Sequence, residues 1–87
     1  MNVGLYDKAI DDYTEAIKLN PNLAETYYNR GISFYYTGEY QLALKDYDKA
    51  IELDPNNQRA IANKKQLLEE HPELKPQSSS SKSGGSC

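Results

Sequence analysis

The chain of 87 residues repeats itself with a period of 34 residues, and this repeat restricts its fold more than any other feature. When residues 4–23 are compared with residues 38–57, ten of the twenty positions are identical. The residues that return unchanged are Gly4, Tyr6, Ala9, Asp12, Tyr13, Ala16, Ile17, Leu19, Pro21 and Asn22. A period of this length is typical of stacked repeats, in which each unit buries its apolar face against its neighbours. Stacked units present an extended concave surface, so the repeat favours binding of another molecule over catalysis.

The spacing of apolar residues predicts that the repeat is helical. Over residues 5–19, apolar side chains recur at intervals of three and four, as on one face of an amphipathic helix. The residue before a proline avoids the helical region, so Asn20-Pro21 and Asp54-Pro55 each end a helix, and Gly38 ends another. The four predicted helices cover residues 5–19, 24–36, 40–53 and 58–70. Their short connections predict an all-α stack of antiparallel neighbours, with N-caps at Asn22 and at Asn56 or Asn57.

Composition divides the chain into a helical domain over residues 1–71 and a tail over residues 72–87. The tail carries a Ser/Gly-rich run that offers no apolar surface to bury, which predicts disorder. The single cysteine, Cys87, excludes an internal disulfide. A lone cysteine after a Ser/Gly run fits a natural terminus and an added conjugation handle equally well.

Charge and hydropathy narrow the classes of partner and compartment. The formal net charge is −3 and no basic stripe is present, which argues against nucleic acid. No segment has the apolar run of a membrane span, and no signal peptide is evident, so a cytoplasmic location is expected. One histidine and one cysteine cannot form a metal set, so neither metal nor cofactor is expected. The acidic cluster Asp7, Asp11, Asp12 and Glu15 fits either a solvated helix face, with Lys8 as an ion-pair partner, or a site for a basic partner.

The residues that recur every 34 positions resemble the tetratricopeptide repeat. The pattern of that repeat combines aromatic residues with small residues and a closing proline. The complete copy covers residues 24–57, with Tyr27, Gly31 and Phe34 in its first helix and Ala43, Tyr47 and Pro55 after it. In this pattern the small residues let helices approach closely and the aromatics fill the space beside them. Arg30 replaces the expected leucine, and its stem is expected to cover apolar surface while its head reaches water.

The resemblance also predicts how the copies are arranged. A half repeat precedes the complete copy, and residues 58–70 match weakly, as in a terminal capping helix with a polar outer face. About three repeats are needed for stability. The chain is therefore expected to be a fragment of a longer array, or to bury its open end against a second chain.

In this family the face of the predicted helix 24–36 that points away from its packing residues lines the concave groove, which contacts an extended peptide or a partner helix. The resemblance assigns that groove to Glu25, Tyr28, Asn29, Ile32, Tyr35 and Tyr36. The alternative is that Tyr28 and Tyr35 pack against the adjacent helix. Some relatives grip a carboxylate through Asn and basic residues, which here gives Asn29 and Arg59 as candidate contacts.

Two functions follow from this sequence. The first is a protein-interaction module that binds a protein or peptide along the predicted groove. The alternative is a self-assembling structural element, a homo-oligomer formed through the unpaired first helix or the tyrosine face. No nucleophile–base pair, phosphate loop or metal-ligand spacing is present, so an enzyme is not expected.

Overall fold

A computed structural model describes residues 3–75 of the protein. Within that range the chain forms four α-helices and one 3-10 turn, and no strand. The elements are α1 (Val3–Leu19), α2 (Ala24–Tyr36), α3 (Tyr40–Leu53), α4 (Gln58–Glu70) and the 3-10 turn (Pro72–Leu74). The all-α class and the four helices are confirmed. The only difference in a helix boundary is that α1 begins two residues before the predicted Leu5.

Each helix packs against the helix that follows it in sequence, and the contact between α2 and α3 is the most extensive. The core consists of two clusters. Tyr27, Ala50 and Ala60 form the first, and Ala43, Tyr47 and Leu67 form the second. Tyr27 and Tyr47 are buried, whereas Phe34 is half-buried and packs against the second cluster.

Gly31 permits the close approach of α2 and α3. A Cβ atom at this position would lie 2.8 Å from Cε1 of Tyr47 and 3.2 Å from Cβ of Asp46. These separations are shorter than ordinary van der Waals contact, so a larger residue would push the helices apart. The predicted role of the small residue at this position is therefore confirmed.

The guanidinium of Arg30 is held by a buried carboxylate, a contact that the sequence did not predict, while 20% of the side chain stays exposed. Its Nε and one terminal nitrogen donate to the two oxygens of Asp46 at 2.8 and 2.9 Å, and the other terminal nitrogen donates to Oγ1 of Thr14 at 3.1 Å. The guanidinium also lies 5.5 Å from the ring centroid of Phe34. Hydrogen bonding to Asp46 raises the pKa of Arg30 above its ordinary value. Arg30 thus joins α1, α2 and α3 through one side chain.

The residues predicted to end or cap the helices are confirmed at Asn57 and Gly38 but not at Asn22. Asn57 is the N-cap of α4, and its side chain accepts from the backbone N–H of Ala60 at 3.2 Å. Asn22 is not a cap, contrary to the prediction; Leu23 is the N-cap of α2 and makes no side-chain capping bond. Asn22 instead donates its own N–H to the side chain of Asn20. Gly38 has φ +86°, the left-handed conformation predicted after α2.

The ordered region extends past the predicted boundary at residue 71. Pro72–Leu74 form a 3-10 turn, and Leu74 packs against the second core cluster. The ring of His71 stacks on Tyr40 with centroids 3.9 Å apart, which anchors the start of this turn. Apolar packing therefore orders part of the segment that was assigned to the tail. The Ser/Gly-rich run and Cys87 lie outside the described residues.

Candidate binding groove

A small cavity lies between α2 and α4 on the face that the sequence assigned to binding. Its volume is about 120 Å³. It is lined by Ile32, Tyr35, Tyr36, Tyr47, Asn63 and Gln66, which we call the tyrosine groove. Three of the predicted residues, Ile32, Tyr35 and Tyr36, are brought together here. The other three were not predicted as groove residues, although Asn63 and Gln66 stand one period after Asn29 and Ile32 and that spacing could have found them.

Stacked aromatic rings hold the rim of the tyrosine groove. Tyr36 stacks on Tyr6 of α1 with centroids 5.0 Å apart. Tyr35 meets Tyr36 edge-on at 5.3 Å and Tyr40 at 5.5 Å. Tyr36 nevertheless remains 45% exposed. The groove therefore presents an aromatic surface whose geometry is set by its neighbours before any ligand arrives.

A hydrogen bond from Tyr35 to Glu70 spans the groove and joins α2 to α4. The hydroxyl of Tyr35 donates to Oε1 of Glu70 at 2.5 Å, and Nε2 of Gln66 donates to the other oxygen at 3.1 Å. This hydrogen bond raises the pKa of Tyr35 to about 12. The bonds from Tyr35 and Gln66 lower the pKa of Glu70.

Tyr28 packs against the core and is not among the residues that line the tyrosine groove. Its ring lies 6.2 Å from that of Tyr47, and its hydroxyl accepts from Nδ2 of Asn63 at 3.4 Å. Burial raises the pKa of Tyr47 to about 12, and a hydrogen bond from Asn63 opposes that shift. Tyr28 is half-buried and packs against both core clusters. These contacts favour the packing role for Tyr28 over a role in ligand contact.

The remaining predicted residues line two other cavities. Glu25, Tyr28 and Arg59 share a cavity of about 410 Å³ near the start of α4, which Asp54 also lines. Asn29 lines a different cavity, between α1 and α2. Asn29 and Arg59, the candidate carboxylate contacts, are thus found in separate cavities. Glu25 and Asp54 beside Arg59 also oppose the binding of a carboxylate there.

The cavity between α1 and α2 has a larger volume than the two cavities described above, about 560 Å³. It is lined by Leu5, Tyr6, Ala9, Tyr13, Asn29, Ile32 and Ser33, which we call the α1–α2 cleft. Ile32 lines both this cleft and the tyrosine groove, so the two surfaces adjoin on α2. The sequence singled out the first helix as unpaired but did not identify a cleft.

Charged side chains outside these cavities are mostly on the surface. Asp7, Asp11, Asp12 and Glu15 are all exposed, and the ion pair on α1 joins Lys18 to Glu15 at 3.3 Å rather than involving Lys8. Among residues 3–75, no three His, Cys, Asp or Glu side chains are grouped to hold a metal ion. None of the helices in the same range has the length and apolar character needed to cross a membrane. The cytoplasmic location stays a prediction of the sequence.

Consecutive antiparallel helices with a 34-residue period and a groove on one face define a helical repeat protein. A sequence profile described as tetratricopeptide repeat matches residues 24–57, and one described as TPR repeat matches residues 4–36. The chain belongs to the tetratricopeptide repeat family, and this membership supports a general role in protein–protein interaction or assembly.

One curated relative shares part of this sequence. The photosystem I assembly protein Ycf3 of Acaryochloris marina (strain MBIC 11017) is 45% identical over 38 residues. The match covers 44% of this chain and 23% of that relative, so the similar stretch spans about a quarter of the relative's length.

Proposed function

We propose that the chain is a binding module that holds a peptide or a partner helix on the concave face formed by α2 and α4. The observation that carries this proposal is the tyrosine groove. An exposed ring, Tyr36, is held in place by Tyr6 and Tyr35 beside a small cavity. Rigid tyrosines contribute large contact area at little cost in conformational entropy, which suits them to protein recognition.

The size of the groove indicates what it holds. Pockets for drug-sized molecules are about 300–1,000 Å³, whereas this one is about 120 Å³. It accommodates a single apolar side chain of a longer ligand, with the ligand backbone lying across Asn63 and Gln66. The amide groups of these residues offer both donors and acceptors to a peptide backbone.

A displayed library of random peptides, selected on the 87-residue chain, tests this proposal. Peptides that bind through the groove should lose about tenfold or more in affinity against Tyr36→Ala, because large aromatic rings dominate such interfaces. Leu42→Ala is the matched control, since Leu42 is 41% exposed but lies on α3, outside all the cavities described above. Peptides that bind Tyr36→Ala as tightly as the parent chain would contradict the proposed site.

Self-association is the second candidate, and exposed leucines favour it. Leu5, Leu19 and Leu23 are 63%, 88% and 47% exposed along α1 and the turn that follows. A second copy that covered these side chains would remove apolar surface from water. Light scattering behind a sizing column, over a hundredfold range of concentration with reductant present, tests this alternative. A monomer at every concentration would exclude it.

The proposal is for binding or assembly, without a catalytic step. The relative from Acaryochloris marina is an assembly protein by name, and the similarity over 38 residues supports assembly as the general setting.

A further inference from the structure

Glu70 stands at the edge of the tyrosine groove as a carboxylate whose position is fixed. Its two side-chain oxygens each accept one hydrogen bond, from the hydroxyl of Tyr35 at 2.5 Å and from Nε2 of Gln66 at 3.1 Å. Both donors line the groove, whereas Glu70 itself does not. Because Glu70 is exposed to solvent, a ligand that lies in the groove can reach its carboxylate.

The two hydrogen bonds orient Glu70 without neutralising it. A carboxylate has about four lone-pair positions, and these bonds use one on each oxygen. The bonds from Tyr35 and Gln66 lower the pKa of Glu70, so the side chain is negatively charged at neutral pH. An incoming cation does not have to order this side chain, which reduces the entropic cost of binding.

The charge around the groove favours a basic ligand over an acidic one. None of the six residues that line the groove is a lysine or an arginine. Further along the same face, Glu25 and Asp54 line a cavity together with Arg59. An acidic ligand would therefore meet like charge at both ends of the face, whereas a cation next to the groove would meet the opposite charge of Glu70.

The two walls of the groove, α2 and α4, run in the same direction. The hydroxyl of Tyr28 bonds to Asn63 and that of Tyr35 bonds to Glu70, and each pair is 35 residues apart in sequence. A constant offset means that the two helices advance together. On α4, Asn63, Gln66 and Glu70 follow one another at intervals of three and four, which places them in one stripe. A ligand that lies along the groove therefore passes Gln66 and then Glu70.

The separation of Gln66 and Glu70 sets the spacing of the ligand's side chains. Glu70 follows Gln66 by one helical turn, which is about 6 Å along the axis. Two residues of an extended peptide span about 6–7 Å, and their side chains point to the same side. A peptide with one side chain in the cavity beside Gln66 therefore presents the residue two positions away to Glu70.

We propose that the tyrosine groove binds an extended peptide in which an apolar residue and a basic residue, lysine or arginine, are separated by one residue. The apolar side chain fills the cavity beside Tyr36, and the basic side chain pairs with Glu70. This inference rests on the proposed function of the groove and names the class of peptide that it takes. A helical ligand would instead present the two side chains three or four positions apart.

A displayed library measures this spacing. Peptides with a fixed central leucine and random residues at four positions on either side are selected on the 87-residue chain. The selection is made at pH 8, where histidine side chains are ordinarily neutral, because the charge of His71 acts on Glu70. Lysine and arginine should be enriched two positions from the leucine. Enrichment of acidic residues there, no preference, or a spacing of three or four positions would overturn the proposal.

Glu70→Gln removes the charge and preserves the size of the side chain. A selected peptide with lysine at the preferred position should bind this variant about fivefold more weakly than the parent chain, as expected for loss of an exposed ion pair. The same peptide with glutamine in place of the lysine should bind both proteins equally. Glu69→Gln is the matched control, since it makes the same change of charge at the neighbouring exposed position. Equal losses in the two variants would overturn the assignment of Glu70.

Tyr36→Ala separates this inference from the proposed function. It should weaken the lysine and glutamine peptides alike, because it removes a ring from the cavity that both peptides use. If it does so while Glu70→Gln fails to discriminate between the peptides, the groove binds peptides but Glu70 does not select a cation. If Tyr36→Ala affects neither peptide, the groove is not the site and both proposals fail. Added salt should also reduce the advantage of the lysine peptide, and an advantage that salt leaves unchanged would contradict the ion pair.

Discussion

Replacing Asp46 by asparagine should reduce the free energy of unfolding by about 2–3 kcal/mol. The substitution preserves the shape of the side chain and removes its charge. Asp46 accepts both hydrogen bonds from Arg30, at 2.8 and 2.9 Å, and only 7% of its side chain is exposed. The variant would leave Arg30 as a largely buried cation beside a neutral amide.

The magnitude follows from the surroundings of Arg30. Breaking a fully buried ion pair costs about 3–5 kcal/mol. Arg30 retains 20% exposure of its side chain, a hydrogen bond to Thr14 and contact with the ring of Phe34. The expected loss therefore lies at or below the lower end of that range, at about 2–3 kcal/mol. A domain of this size has only roughly 3–5 kcal/mol of stability, so the variant should lose a large part of it.

Urea unfolding followed by circular dichroism at neutral pH measures this change. Asp12→Asn is the matched control, because Asp12 occupies the same position of the repeat but is exposed; it should change stability by less than about 0.5 kcal/mol. The double variant Arg30→Leu with Asp46→Leu should be close to neutral, since an apolar pair can replace a buried ion pair. The reasoning is refuted if Asp46→Asn costs no more than Asp12→Asn, or if the double variant shows the sum of the single losses.

Three further changes test the helix contacts and the groove. Gly31→Ala should cost about 1–3 kcal/mol in urea unfolding, despite the better helix propensity of alanine, because the new Cβ meets Tyr47. Asn57→Ala should cost about 1 kcal/mol in the same measurement, since it removes the N-cap bond of α4. Tyr35→Phe should raise the pKa of Glu70 toward its ordinary value in a carboxyl NMR titration. Because a lowered folded pKa gives stability that is lost as pH falls, this variant should also be less sensitive to acid than the parent.

Neighbouring residues supply the controls for these changes. Asn22→Ala should be near neutral, because Asn22 does not cap α2, and a loss equal to that of Asn57→Ala would contradict the capping argument. Tyr36→Phe should leave the titration of Glu70 unchanged, whereas an equal shift would show that the Tyr35 bond is not its cause. A stable Gly31→Ala would mean that α2 and α3 can separate without cost.

The helices could be predicted from sequence because their signals are local. The 34-residue period, the prolines at 21 and 55 and Gly38 fix boundaries without knowledge of packing. Asn22 was mistaken for a cap because Asn20 and Asn22 both suit a turn, and only the backbone geometry decides between them. Pro72–Leu74 were mistaken for tail because a single leucine, Leu74, orders them through a distant contact.

The site was predicted only where it lies on one helix. Periodicity placed Ile32, Tyr35 and Tyr36 on a common face. The 34-residue spacing from Asn29 and Ile32 could also have indicated Asn63 and Gln66, but that α2 and α4 face each other across one cavity depends on three-dimensional packing. The ion pair of Arg30 was missed because Asp46 lies on another helix, and a pairing across helices leaves no trace in local spacing.

Because every helix contacts the next one in sequence, the domain has few contacts between distant parts of the chain. Topologies of this kind fold rapidly and can begin at any unit and propagate outward. Here α2 and α3 share the largest interface and so form the natural nucleus. Amide hydrogens should exchange with solvent first in α1 and α4, each of which can fray without unravelling that central pair. Under a mechanical load the domain should likewise begin to unfold at α1 or α4, and not at the interface between α2 and α3.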